Sequence, residues 1–278
     1  MKTLFERLIR FRDPSGRILY GDGPVGDDYI GKRTRLYSGT LPWDLQATDE
    51  TGEIAEVLCP LPSTPIIYGV GLNYKAHIAE GGYATPKFPT IFTNPPDALN
   101  RPFSTVLVDP ECLHMDYEGE LAVVMGQDVK NATPTSAMDH VLGYTIANDV
   151  SSRYWQMPEQ SGNQHGYAKS FDGFAPVGPL IVSARVADPD RMTIVTRVNG
   201  EERQNAPISD LLFKVGDIIA HLSRGTTLRA GTVIMTGTPS GVGRYMKPAV
   251  WLKEGDVVEV TVSGIGTIRN RFSFLSSQ

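Results

Sequence analysis

Apolar and polar residues alternate with a short period through most of this chain, and long helical stripes are scarce. "RLIRFRD" and "RILYGDG" alternate between turn residues until the break at "CPLPSTP", which predicts a small β-rich N-terminal domain over residues 1–62. A larger domain over 66–278 opens with the apolar strand "IIYGVG", followed by "NYKAHIAEGG", a helical turn stopped by paired glycines. Pro134 and Ser136 predict a short helix closed by Gly143, and "YTIANDV" a β-branched strand ending on Asp149. Asn199-Gly200 between alternating residues marks a hairpin. Ser209 is placed to cap a core helix whose apolar positions Leu211, Leu212, Val215, Ile218, Ile219 and Leu222 recur at helical spacing, with His221 in its last turn and Gly225 beyond. "GTVIMTGTP", "DVVEVTVSG" and "GTIRNRFSF" close the chain as short strands. With neither internal repeats nor the βαβ alternation of a doubly wound sheet, the expected architecture is α+β, mixed and dominated by strands.

One stretch breaks the ordinary pattern. "DYEGEL" sets Asp116, Glu118 and Glu120 at every second position and runs straight into the apolar "AVVMG". On a strand these three would share one face, successive members roughly 6 to 7 Å apart. The apolar run reads as a strand buried on both faces. Buried carboxylates must be paired, protonated or bound to a metal, and a hard divalent cation uses the period-two spacing while it neutralises the repulsion. Asp149, at the end of another apolar strand, is the natural third ligand.

Composition narrows the classes. A net charge of -5 over 278 residues gives no basic footprint for nucleic acid or an anionic membrane. The charges scattered through "MKTLFERLIRFRD" leave no signal-peptide core, and no apolar run approaches membrane-spanning length, which predicts a cytosolic protein. Cys59 and Cys112 form no CxxC pair and read as buried reduced thiols. The five histidines are scattered without HExxH or HxH spacing, so a metal here would be oxygen-ligated.

Two further groups carry possible chemistry. His77 and Glu80 stand three apart, sharing one helix face: either a solvated surface pair or a histidine base oriented by a carboxylate. Lys169 in "YAKSFDGF" sits among small and aromatic residues, as a snorkelling side chain or as a partner for an oxyanion. The glycine-rich "TGTPSGVG" lacks the Gly-Lys-Ser/Thr ending of a phosphate loop, and "GVGLNY" lacks the third glycine of a dinucleotide fingerprint; close backbone approach to a small substrate suits both better.

Taken together and in order, "GLNYKAHIAE", "DYEGELAVVMG", "GYTIANDVSSR", "AKSFDGFAPVGP", "VNGEERQ", "LLFKVGDIIAHLS" and "TGTPSGVG" resemble the fumarylacetoacetate hydrolase family over about residues 66 to 273. That resemblance implies a mixed β-roll core, a homodimer, and Mg2+ or Mn2+ held by Glu118, Glu120 and Asp149. It also implies catalytic roles for His77, Glu80 and Lys169 and substrate contacts from Tyr74, Arg153, Gln156, Gly237 and Thr238. Two departures stand out. The long founding hydrolases carry a further acidic ligand upstream, where this chain has Asn73 and Tyr74, so it resembles the shorter three-carboxylate members. His165 shortly precedes Lys169 where the family has no fixed histidine; it either tunes substrate choice or is a loop residue, and the second reading is favoured.

Family members share an enolate stabilised by the cation. The first expectation is a metal-dependent hydrolase that cleaves a carbon-carbon bond of an acylpyruvate or related β-diketo acid, with His77 and Glu80 activating water. The alternatives are decarboxylation of oxaloacetate, isomerisation or hydration of an unsaturated 2-oxo acid, and, more remotely, a binding protein without catalysis. In every catalytic case the partner is a small 2-oxo acid.

Overall fold

The computed structural model describes residues 3–276. Its centre is three strands, Gly119–Met125, Val141–Asn148 and Ala175–Ser183, in which every residue is buried. They are adjacent in a twelve-stranded sheet. Beyond Gly119–Met125 the sheet continues through Val233–Met235 to Ile67–Gly71 and Thr90–Asn94; beyond Ala175–Ser183 it continues through Arg7–Arg12, Ile18–Asp22, Arg33–Ser38 and Gln46–Glu53. The N-terminal strands are therefore stitched to the rest by a ladder that pairs Leu8 with Ile181 and Ile9 with Leu180. Ile9, Phe11, Leu36 and Ile54 pack in the same apolar cluster as Leu121 and Ile146.

A five-stranded sheet, ordered Glu201–Pro207, Thr193–Val198, Val257–Val262, Gly266–Phe274 and Val106–Val108, lies against the central strands. Val257–Val262 shows the alternation expected of a strand with one face packed: Val258, Val260 and Val262 are sealed while the residues between them are half-exposed. Each such side chain contributes about 1.5–3 kcal/mol of hydrophobic stabilisation. The Asn199-Gly200 hairpin forms as its sequence predicts, both residues at positive φ (51° and 82°). Pairing is mostly antiparallel with parallel joins, and the two longest helices span only Lys75–Gly81 and Val215–Leu222, so the α+β reading stands. No described helix is long and apolar enough to cross a membrane. Cys59 and Cys112 are free and buried, and burial pushes both thiols up to about 12.

Three local expectations are corrected. Gly143 closes no helix; the helix Pro134–Ala137 gives way to a 3-10 turn, and Gly143 lies inside the next strand, where a Cβ would come within 2.2 Å of the Val182 carbonyl oxygen. The core helix begins at Val215, not after Ser209, because Asn73 captures the preceding segment. The Asn73 carbonyl accepts from the Leu212 N–H at 2.7 Å, and its side chain bonds both backbone groups of Phe213 and the Thr236 carbonyl. Ser209 instead sits in the 3-10 turn Ile208–Asp210.

The third correction concerns the acidic stretch. Met115–Asp116 pairs with Ser151–Ser152 as a separate ribbon, and the ladder breaks over Tyr117 and Glu118. There the Glu118 N–H bonds the Asn148 side chain and the Gly119 N–H bonds Gln204 Oε1. The break cancels the period-two relation, so Asp116 leaves the face that Glu118 and Glu120 occupy.

Candidate active site and metal centre

The strand ends and loops at one end of the central sheet enclose a cavity of about 300 Å³. Glu118 and Glu120 reach it from the start of one central strand; Asp149 follows the end of its neighbour, with its N–H bonded to the Glu118 carbonyl at 2.8 Å. Oxygens of Glu118, Glu120 and Asp149 all lie within 4.8 Å of one another, and all three residues are buried. The predicted ligand set is thus assembled, with Asp116 excluded.

Asp116 serves another purpose. It is fully buried, and its carboxylate accepts from Arg153 Nε at 2.8 Å and from the N–H groups of Tyr117, Gly243 and Arg244. Arg153 also pairs with Glu118 Oε1 at 2.7 Å and donates to Gln156 Oε1, while its Nη2 is buried without a partner among the described residues. Lys169 does not snorkel. It is buried, bonds Glu118 Oε2 at 2.8 Å and Asp149 Oδ2 at 2.5 Å, and lies over the Phe92 ring at 4.8 Å. Burial opposes its charge, but the two carboxylates outweigh that and raise its pKa.

The three carboxylates differ. Burial alone would raise Glu118, but Lys169 and Arg153 prevail and hold it at about 2. Asp149 rises to about 6, since burial and the Glu118 charge outweigh its bond to Lys169. Glu120 is pushed far above the usual carboxylate range by burial and by repulsion from Asp149 and Glu118, and its one donor among the described residues is the Gly237 N–H at 2.6 Å. Four buried carboxyl groups, Asp116, Glu118, Glu120 and Asp149, face two buried cations, Arg153 and Lys169, so with all four ionised two negative charges are unmatched, and Glu120 meets part of that deficit by holding a proton. An all-oxygen donor set with that deficit fits Mg2+ or Mn2+.

His77 enters from the short helix, with Nδ1 2.9 Å from Glu80 Oε2; Glu80 Oε1 accepts from the Gly241 N–H. His77 is buried and lines the cavity while Glu80 is solvent-exposed behind it, so the pair joins the site through the histidine. Because Nδ1 donates to Glu80, Nε2 carries the free lone pair. Arg153, Gln156 and Thr238 line the cavity, and Thr238 Oγ1 donates to the Gly119 carbonyl while accepting from Gln204 Nε2. Gly237 acts through its bond to Glu120. Tyr74 falls outside the cavity lining: its backbone bridges to Leu211 and its ring packs in the core, where its hydroxyl has no partner among the described residues. His165, read as a loop residue, lines the cavity, as do Arg244 and Tyr245, which sequence reasoning missed. They stand on aperiodic turns, and the only local signal was a cation beside an aromatic residue after "SGVG".

The fumarylacetoacetate hydrolase C-terminal family matches residues 66–273, and the chain belongs to that family. It is 41% identical to the oxaloacetate tautomerase fahd2 (mitochondrial) of Xenopus laevis, over 96% of this chain and 90% of that protein. It is 37% identical to the oxaloacetate tautomerase YisK of Bacillus subtilis, over 88% of this chain and 83% of that one. Among solved structures it resembles a 2-hydroxyhepta-2,4-diene-1,7-dioate isomerase from Mycobacterium marinum, with a TM-score of 0.83 and 33% identity over 98% of this chain and all of the other. The β-dominated α+β fold is that of the family, and the relatives just described are named as enzymes.

Proposed function

We propose that this protein is a Mg2+- or Mn2+-dependent keto-enol tautomerase of a small 2-oxo acid of the oxaloacetate type. The observation that carries the reading is that His77, its Nδ1 bonded to Glu80, lines the same cavity as Glu118 and Glu120 of the three-carboxylate cluster, in a chain similar over most of its length to proteins named oxaloacetate tautomerases. This replaces the first expectation, carbon-carbon hydrolysis, with a reaction that shares its substrate with the oxaloacetate decarboxylase alternative and its proton transfer with the isomerase of an unsaturated 2-oxo acid, since tautomerisation needs a proton carrier and no attacking water.

Glu118, Glu120 and Asp149 would hold the cation, which when bound supplies Lewis acidity toward a 2-oxo group. His77 Nε2 takes a proton from C3 and returns it to the C2 oxygen; one C–H bond breaks and one O–H bond forms, and nothing else is consumed. Glu80 fixes the ring and stabilises its protonated form. Lys169 stays protonated and offsets negative charge as the enolate develops. The buried Nη2 of Arg153 offers a donor to the substrate carboxylate beside the oxo group. A homodimer and a cytosolic location are proposed with this reading, tested by light scattering and cell fractionation.

The test follows the loss of enol absorbance when enol-oxaloacetate meets the metal-loaded protein. Wild type should exceed a metal-only control, and His77→Ala should lose about a hundredfold to ten-thousandfold while still binding Mn2+. No acceleration by wild type overturns the reading. Acylpyruvate cleavage or carbon dioxide release outpacing tautomerisation would reassign the site to hydrolysis or decarboxylation.

A further inference from the structure

The cavity holds three strong cations, and they are used unequally. Lys169 and Arg153 are each bonded to two carboxylates. Arg244 also lines the cavity, but among the described residues no carboxylate bonds its guanidinium; its side-chain contact is the Tyr245 ring, 6.0 Å away. A half-buried arginine without a counter-ion on a cavity wall is a ready anion site.

The wall that carries it is built. The N–H groups of Gly243 and Arg244 both donate to Asp116, at 2.8 and 3.0 Å, and Asp116 is the carboxylate that also anchors Arg153. One buried acid therefore fixes the backbone under both arginines. Tyr245 is held by its hydroxyl, 2.6 Å from that of Tyr83, and its ring meets the His77 imidazole edge-on at 5.6 Å. His165 lines the same cavity from another loop. Although His165 is solvent-exposed, desolvation by the surrounding wall and the Lys169 charge lower its pKa, and the neutral ring keeps one N–H to donate.

We infer that Arg244, assisted by His165, forms the subsite for the distal carboxylate of the substrate and selects 2-oxo dicarboxylates over 2-oxo monocarboxylates. The 2-oxo acid end belongs to the metal ligands and Arg153, and the volume of about 300 Å³ suits a small acid. This rests on the tautomerase reading for its orientation of substrate, but its test does not require turnover.

Calorimetric titration of the Mn2+-loaded protein with malate, lactate and oxalate separates the two ends, because malate and lactate share a 2-hydroxy acid and differ in the distal carboxylate. Wild type should bind malate more tightly than lactate. Arg244→Gln should weaken malate by about tenfold or more, the worth of a charge-assisted bond to a carboxylate, and leave lactate and oxalate within about twofold. Arg244→Lys should restore part of the loss, and His165→Ala should weaken malate by about threefold, as for one neutral hydrogen bond. Equal binding of malate and lactate by wild type, or loss of all three ligands together in a folded Arg244→Gln protein, overturns the inference. If Arg244→Gln does not fold, the Arg244→Lys and His165→Ala proteins decide by the same malate-to-lactate ratio. A selective malate defect in a protein that does not tautomerise oxaloacetate keeps the subsite and discards the reaction; rapid tautomerisation with no malate preference does the reverse.

Discussion

Asp116 and Glu120 stand four residues apart in one acidic stretch, and both are sealed from solvent, yet their surroundings are opposite. Asp116 accepts four hydrogen bonds, from Arg153 Nε and the N–H groups of Tyr117, Gly243 and Arg244. Among the described residues Glu120 accepts one, from Gly237, with two other carboxylates close by. A buried carboxylate saturated with donors is a structural fastener; one left short of donors beside like charges keeps lone pairs for a cation. The difference shows why counting buried acids does not locate a metal site. Counting their unmet bonds does.

Removing the saturated acid should cost the most stability. Asp116→Ala strands two buried N–H groups and takes one carboxylate from Arg153, which should cost about 3–5 kcal/mol in urea unfolding, with or without metal. A loss under about 1 kcal/mol would mean that the turn at 243–245 holds without it and that the contrast with Glu120 is overdrawn. Glu120→Gln should behave in the reverse sense. The neutral amide removes the cost of protonating a buried, repelled carboxylate on folding, so the metal-free variant should be at least as stable as metal-free wild type at neutral pH. Its affinity for Mn2+ should fall by more than about a hundredfold, beyond the usual cost of losing an outer-shell partner. Unchanged Mn2+ binding by this variant would remove Glu120 from the ligand set.

The two acids were not equally legible in the sequence. Glu118, Glu120 and Asp149 could be read because each borders an apolar run, and a charge next to a buried strand has few permitted fates. Asp116 shares their spacing and was placed with them, since nothing local marks the break at Tyr117 and Glu118. Side chains 30 and 85 residues away, Asn148 and Gln204, capture the backbone there. The helix start at Val215 was hidden in the same way, by Asn73 acting 140 residues upstream. The His77 and Glu80 pair was legible because helical spacing alone brings the two together. Arg244 was not, because its turn has no period and its anchor lies on Asp116, 128 residues earlier. Interactions within one element can be read along the chain; those that depend on the meeting of distant loops cannot.

The smallest effect expected is also the sharpest test of unequal carboxylates, and it is read from pH. Asp149 titrates at about 6, raised by burial against its bond to Lys169; Glu120 is raised further by burial and its two acidic neighbours, while Glu118 is held at about 2. A group whose pKa is raised in the folded state takes up a proton on folding. The metal-free fold is therefore burdened above that pKa and relieved as pH falls through it. A divalent cation needs these oxygens deprotonated, so it competes with the same protons. The rise in melting temperature given by a fixed excess of Mn2+ should be largest in mildly alkaline buffer and shrink steadily as pH falls through about 6, where Glu118 is still ionised. In Glu120→Gln that pH dependence should be flattened along with the Mn2+ response itself. In Asp116→Ala it should persist at a lower melting temperature, because the fastener is lost and the cluster is not. If the Mn2+-induced rise is the same at pH 5 and pH 8 in wild type, no proton is displaced and the cation is bound elsewhere.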